Sequence, residues 1–224
     1  MAVNDSHTIA LLHFDNNIVD EVGNDWTAHG SPTISNTQYK WVGGLYLPAT
    51  GSYLTIPKTV ISLSGYFTVD FWVYFMSTSN FAIFVDGDGI AHANQSWAIW
   101  ASTPSIKLQA SYGTFEAFSI TTTNELASYL NTWTHLQVGK NEDGFYFFVN
   151  GVLIGTHPLT SLNAGGALWG LGGEPSNNGY FGTQAYIDEL RISDICRNTE
   201  SFALQDYPYP SAVTSINQSM SGGQ

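Results

Sequence analysis

The chain has 224 residues, with 6 Lys and Arg against 18 Asp and Glu and a formal net charge of −12. Nucleic acid and anionic membrane surfaces are excluded as partners, because both call for clustered Lys and Arg, and here the four lysines and two arginines stand singly along the chain. A hydrophobic content of 43 % suits one large core, and 11 % charged residues beside 22 Gly, 13 Phe, 12 Tyr and 7 Trp is a composition of strands and tight turns rather than surface helices.

The opening MAVNDSHTIALLHFD has no basic n-region, continuous apolar stretch or small-residue cleavage site, so no Sec leader is expected. No run approaches the ~18 apolar residues of a membrane-spanning helix. Apolar–polar alternation bounded by Gly, Pro, Asn and Asp predicts strands over Thr8–Phe14, Gly44–Leu47, Tyr53–Ile56, Phe67–Phe75, Phe81–Val85, Ser96–Ala101, Ile106–Ser111, Phe115–Thr121, Trp133–Lys140, Phe145–Asn150, Val152–His157, Leu168–Gly172 and Gln184–Ile192. So many strands in one domain require two packed sheets, because an open sheet of that width curls or splits. Turns at Asp143-Gly144 and Asn150-Gly151 make a meander of Trp133 to His157. Short helical turns are expected only over Asn124–Leu130 and Asn198–Leu204. Residues 1–207 read as one domain, and 208–224 as a strap and flexible tail whose apolar pattern fades. Cys196, the single cysteine, excludes an internal disulfide and a thiolate zinc site.

Four segments, LLHFDNNIVDEVGNDW, FTVDFWVYF, NTWTHLQVGKNEDGFYFFVNGVLIG and YIDELRISDICRNTESF, resemble the laminin-G-like branch of the concanavalin A-like lectin/glucanase superfamily. The resemblance spans roughly Thr8 to Phe202. It implies an all-β, antiparallel jelly-roll β-sandwich of about 12–14 strands, with the first and last strands side by side and one concave and one convex sheet. It also implies Trp72 and Trp133 in the core, and a structural Ca²⁺ where the first and last strands meet. The matching ligands are Asp15 and Asp188, with Asn17, Asp20 and Asn24 as further oxygens. Asp86-Gly87-Asp88 is a second calcium candidate by local composition.

Hydrolases of this superfamily carry a Glu-x-Asp-x-Glu strand that sets two carboxylates a few ångströms apart, as glycoside hydrolysis demands. That pattern is missing here, and Asp188-Glu189 offers adjacent residues expected on opposite faces of a strand. The six histidines show neither His-x-His nor His-Glu-x-x-His spacing, and there is no Gly-x-Ser-x-Gly elbow or P-loop. No enzyme is therefore expected. A sugar site needs an aromatic face with amide and carboxylate partners. Trp97 and Trp100, three apart, face opposite sides of a strand, so one belongs to the core and the other to the surface. Trp97 with His92 and Asn94, and the polar Gly-rich loop carrying Glu174, Asn177, Asn178 and Tyr180, are the expected sugar contacts. The expected role is non-enzymatic recognition or adhesion, with a glycan or bacterial surface polysaccharide as partner. Family habit and the missing export signal suggest a phage tail, fibre or capsid decoration, released by lysis and touching other virion proteins or its own copies. The alternatives are a structural virion or spacer protein without a ligand, and a glucanase-like hydrolase.

Overall fold

The computed structural model describes residues 5–86, 95–112, 115–158, 162–179, 181–182 and 184–211. Among these, fifteen strands run β1 Thr8–Leu12, β2 Thr27–His29, β3 Thr33–Ser35, β4 Gly44–Leu47, β5 Tyr53–Pro57, β6 Phe67–Phe75, β7 Phe81–Asp86, β8 Trp97–Ser102, β9 Ser105–Tyr112, β10 Phe115–Thr121, β11 Trp133–Lys140, β12 Gly144–Val149, β13 Val152–Pro158, β14 Leu168–Leu171 and β15 Ala185–Ser193. All thirteen expected strands have a counterpart. The two extra ones, β2 and β3, are three-residue segments too short to show alternation.

The strands form two antiparallel sheets, β13-β12-β11-β6-β15-β4-β3 and β10-β9-β8-β7-β14-β5-β2, with β1 also paired to β15. This is the expected jelly-roll sandwich with its first and last strands adjacent. Burial follows the two-residue period of a strand. On β6, Phe67, Val69, Phe71, Val73 and Phe75 enter the core between the sheets, while Asp70, Trp72 and Tyr74 take the outer face. Trp72 is therefore buried as expected, at 6 % exposure, but on the outer face and not between the sheets, and Trp133 is not in the core. Trp72 is covered from outside by Lys40, whose Nζ lies 4.0 Å from its ring centre, and Trp133 is half-buried beside Tyr74.

A bulge in β15 reverses its parity. Ala185 and Ile187 point inward before it and Leu190 and Ile192 after it, because Glu189 adopts a left-handed φ of 52°. Here β15 also exchanges its edge partner: Ile187 pairs with Leu45 of β4, whereas Leu190 pairs with Leu12 of β1. Asp188 and Glu189 consequently both lie off the core instead of on opposite faces.

From Asp194 to Ser211 the chain straps across the outer face of the first sheet. The expected helix over Asn198–Leu204 does not form, because the segment docks extended: Phe202 N donates to Gly151 O at 2.9 Å and the Ser201 hydroxyl accepts from Leu153 N at 2.9 Å. The other expected turn is a 3-10 helix, Leu126–Tyr129.

Candidate functional site

Where the ends of β5, β8, β11, β12 and β14 meet, the sandwich opens into a cavity of about 440 Å³. Its floor is aromatic, formed by Trp97 and Trp169 from the second sheet and Phe145 from the first. Inward positions on β11 run Thr134, Leu136, Val138 and Lys140, so the last one before the Asn141–Asp143 turn is a lysine that enters the cavity wall. The rim carries Ser62, Ser64, Ser96 and Asn163.

The two loops that form the mouth are tied to both sheets. Trp169 Nε1 donates to Ile61 O at 2.9 Å, and Lys140 Nζ donates to Gly65 O at 2.9 Å and Ser64 O at 3.3 Å. Opposite, Asn163 N donates to Ser111 O at 3.0 Å and its Nδ2 to Gln95 O at 3.3 Å. Asp86 is the central anchor: it pairs with Lys58 at 2.5 Å, accepts from Gly166 N and Ser96 N at 2.8 Å each, and also takes the Ser96 hydroxyl. Gly165 has a φ of +72°, and a Cβ there would collide with the Asp86 carboxylate, so only glycine fits this turn. Lys58 also lies 4.3 Å from the Trp169 ring centre, a cation–π contact that fixes its stem. Asp86 thus anchors loops and does not stand as a calcium ligand; Asp88 lies outside the described residues. No Asp or Glu lines the cavity among the described residues. Its chemistry is that of binding: apolar ring faces below, hydroxyl and amide groups above.

Among the described residues the expected sugar contacts Trp97, Glu174, Asn177 and Asn178 are not brought together. Trp97 is 2 % exposed, packed in the core with ring centres 5.1 Å from Phe67, 5.6 Å from Phe84 and 5.2 Å from Trp169, so it serves the cavity as floor and not as an exposed platform. Its outward counterpart is Trp100, half-buried against Phe181. Glu174 is fully buried in the loop after β14, where its carbonyl accepts from Gly179 N at 2.9 Å. Asn177 ends a 3-10 turn and Asn178 is exposed in a left-handed conformation. This loop follows the Leu171 end of β14 while the cavity lies at its Leu168 end, about 10 Å away at strand rise. His92, Asn94 and Tyr180 lie outside the described residues. Lys58, Lys140, Phe145, Asn163 and Trp169 escaped the sequence reading as site residues; the one local signal was a lysine in the inward register of an apolar strand.

The expected calcium ligands divide. Asp20 is saturated: Oδ1 accepts from Leu11 N at 3.0 Å and Val22 N at 2.9 Å, and Oδ2 from Asn24 Nδ2 at 2.7 Å and Trp26 Nε1 at 3.1 Å. Asn24 also caps Ile9 O, and exposed Asn17 closes an Asx turn on Val19 N. These three staple the loop after β1, and Asp20, with each oxygen accepting two hydrogen bonds, is removed from the ligand set. Of the carboxylates, Asp15 and Asp188 remain. Each has a buried Oδ1 with no hydrogen-bond partner, while Asp188 Oδ2 accepts from Lys40 N at 2.7 Å. Burial pushes the Asp188 carboxyl up to about 8 against that amide, with Glu189 adding to the rise. Glu189 is itself raised by burial, although it accepts from His13 at 2.7 Å, and the Asp15 charge acts on both. Among the described residues no three His, Cys, Asp or Glu side chains come together as a metal cluster, so a cation here would draw at most two carboxylates from the side chains. Asp15 and Asp188 would hold it, with main-chain carbonyls and solvent completing the shell.

Under the strap, Asp70 is fully buried and accepts from Arg191 at 3.2 and 3.3 Å, with His135 at 3.8 Å and the Tyr209 hydroxyl directly on it. This charge is spent on holding the strap. Beside it, Tyr46, Tyr186, Tyr74 and Trp133 form a half-buried aromatic row across four strands, with neighbouring ring centres 4.7, 5.9 and 5.7 Å apart.

Known proteins agree with this architecture. The chain is similar to the binding domain of botulinum neurotoxin serotype D (TM-score 0.67, 14 % identity, 87 % of this chain and 50 % of that one) and to the receptor-binding domain of the C/D mosaic serotype (0.65, 14 %, 86 % and 49 %). A third neighbour, at 0.66 and 16 % over 88 % of this chain and 49 % of that one, belongs to botulinum neurotoxin type C, whose cell entry depends on interaction with two ganglioside molecules. The chain spans about half the length of these domains, and the likeness is one of fold. No curated protein matches it. The laminin G type 3 model matches residues 48–202, so the chain belongs to this family of the concanavalin A-like lectin/glucanase superfamily.

Proposed function

We propose that the protein is a non-enzymatic glycan-recognition domain whose sugar sits in the cavity between Ser62, Ser64 and Asn163. The observation that carries this reading is the cavity itself: an aromatic floor, a rim of hydroxyls and an amide, and loops held in place by Asp86 and Lys140. Among the described residues its lining offers no carboxylate pair, which favours binding over hydrolysis. The lectin-like family and the receptor-binding neighbours, one with a ganglioside-dependent parent toxin, support a binding role. A phage tail, fibre or capsid decoration facing a bacterial surface polysaccharide is the setting we propose, on the sequence resemblance and the acidic composition.

A glycan array, followed by pull-down with whole bacteria, tests the reading. Ser62 is exposed at the mouth, so Ser62→Trp can fill the cavity without disturbing the core. Array signals should fall at least tenfold in Ser62→Trp with the melting temperature unchanged, about the 1.4 kcal/mol that one decade represents. Undiminished signals in this variant would place the sugar elsewhere, and silence from the wild type on both assays would favour a structural protein.

We further propose that Asp15 and Asp188 hold a structural Ca²⁺ at the β15 bulge, where their buried oxygens lack other partners. Chelation with EDTA should lower the melting temperature by about 5–10 °C, the size expected for losing a ligand present well above its dissociation constant. Asp188→Asn should remove the difference between calcium and EDTA. Identical melting curves for the wild type under the two conditions would refute the calcium site.

A further inference from the structure

We propose that the cavity selects an anionic sugar, one carrying a carboxylate or a sulfate ester, through the Lys140 ammonium; this rests on the glycan reading above. Two of the four lysines of a chain with net charge −12 line this single cavity, although lysine is not required to build a mouth of serines and tryptophans. Their surroundings differ. Lys58 is committed, paired with Asp86 at 2.5 Å and bonded to Ala164 O at 3.2 Å. Lys140 Nζ meets two main-chain carbonyls, Ser64 O and Gly65 O, and among the described residues no ion pair joins it to a carboxylate.

An ammonium has three N–H donors, so one remains after those two carbonyls, together with the whole positive charge. Only 8 % of Lys140 is exposed, and burial depresses its pKa because neither carbonyl carries a countercharge. A buried cation without a countercharge is costly, whereas a bound anion would offset that cost and complete its hydrogen bonding. With Asp86 neutralised by Lys58, the cavity carries one net positive charge, which suits a monoanion. Physiological salt screens acidic groups farther than about 8 Å, while Glu142 and Asp143, in the turn directly after Lys140, act against the anion. The aromatic floor supplies what a free inorganic anion cannot use, a surface for the apolar face of a sugar ring.

The test is an array of bacterial capsular polysaccharides in neutral, uronate-containing and sulfated classes, with the strongest acidic binder remeasured after carboxyl reduction or desulfation. Wild type should bind the acidic polymer at least tenfold more tightly than its neutralised form, and the gap should narrow with added NaCl. Lys140→Met should bind the acidic and neutralised polymers equally, Lys140→Arg should keep the preference, and Ser62→Trp should bind neither. The carboxyl and sulfate arms identify which anion is read. If wild type binds the neutralised polymer as well as the acidic one, and both signals vanish in Ser62→Trp, the anion inference fails while the glycan reading stands. If no polymer binds, both fail. Should Lys140→Met prove unstable, the wild-type comparison of acidic and neutralised polymer alone still decides.

Discussion

Asp70→Ala is expected to cost about 3–5 kcal/mol of stability, the range for breaking a buried ion pair by removing one partner. Asp70 is fully buried, and its loss would strand the Arg191 guanidinium, which stacks 3.9 Å from the centre of the Tyr209 ring. The Tyr209 hydroxyl would lose its acceptor as well, so the strap should loosen together with the sheet. The pH dependence has a definite sign. Burial works to raise the Asp70 pKa, but Arg191, with His135 and Tyr209, overcomes it and holds the carboxyl below its ordinary 3.8. Its contribution is therefore fully present above pH 3.8 and is lost as pH falls through the lower folded value. Urea unfolding at pH 7 and at pH 3 checks both points: the gap between wild type and variant should be largest at pH 7. A gap below 1 kcal/mol at pH 7 would contradict the ion-pair account.

Trp97→Ala should cost a comparable amount, about 3–5 kcal/mol for emptying a buried aromatic site. The indole contacts Phe67, Phe84 and Trp169, and truncation would leave a hole that joins the cavity. Trp100→Ala, on the outer side of the same strand, should cost about 1 kcal/mol. Denaturant midpoints for the two variants measure the contrast. Equal losses would mean that the side of β8 facing the core has been misassigned.

This pair also marks how far the sequence could be read. Alternation required Trp97 and Trp100 to face opposite ways, but which one faced inward depended on the pairing of β8 with β7 and β9, a fact of tertiary structure. FTVDFWVYF was legible as a strand, and Asp70 stood out as its carboxylate; its partner Arg191 lies 121 residues away, beyond any local pattern. The family pattern points Trp72 and Trp133 to the core, because the strap and Lys40 that cover the outer face give no periodic signal. The bulge at Glu189 was illegible for a different reason: a left-handed non-glycine residue carries no compositional mark, so the parity reversal and the shared side of Asp188 and Glu189 emerge only in three dimensions. The cavity shares that character. Its lining comes from two loops and both sheets, and Lys58 and Asn163 are joined to it through Asp86, Gln95 and Ser111.

A crystal structure of the protein with an oligosaccharide taken from the strongest array signal bears most directly on the central claim. The account predicts a sugar ring over Trp169 and Phe145, with hydroxyls reaching Ser62, Ser64 and Asn163 and any acidic group at Lys140. Sugar density on the Tyr46–Tyr186–Tyr74–Trp133 row, or at the loop after β14, with the cavity filled by solvent alone, would contradict it.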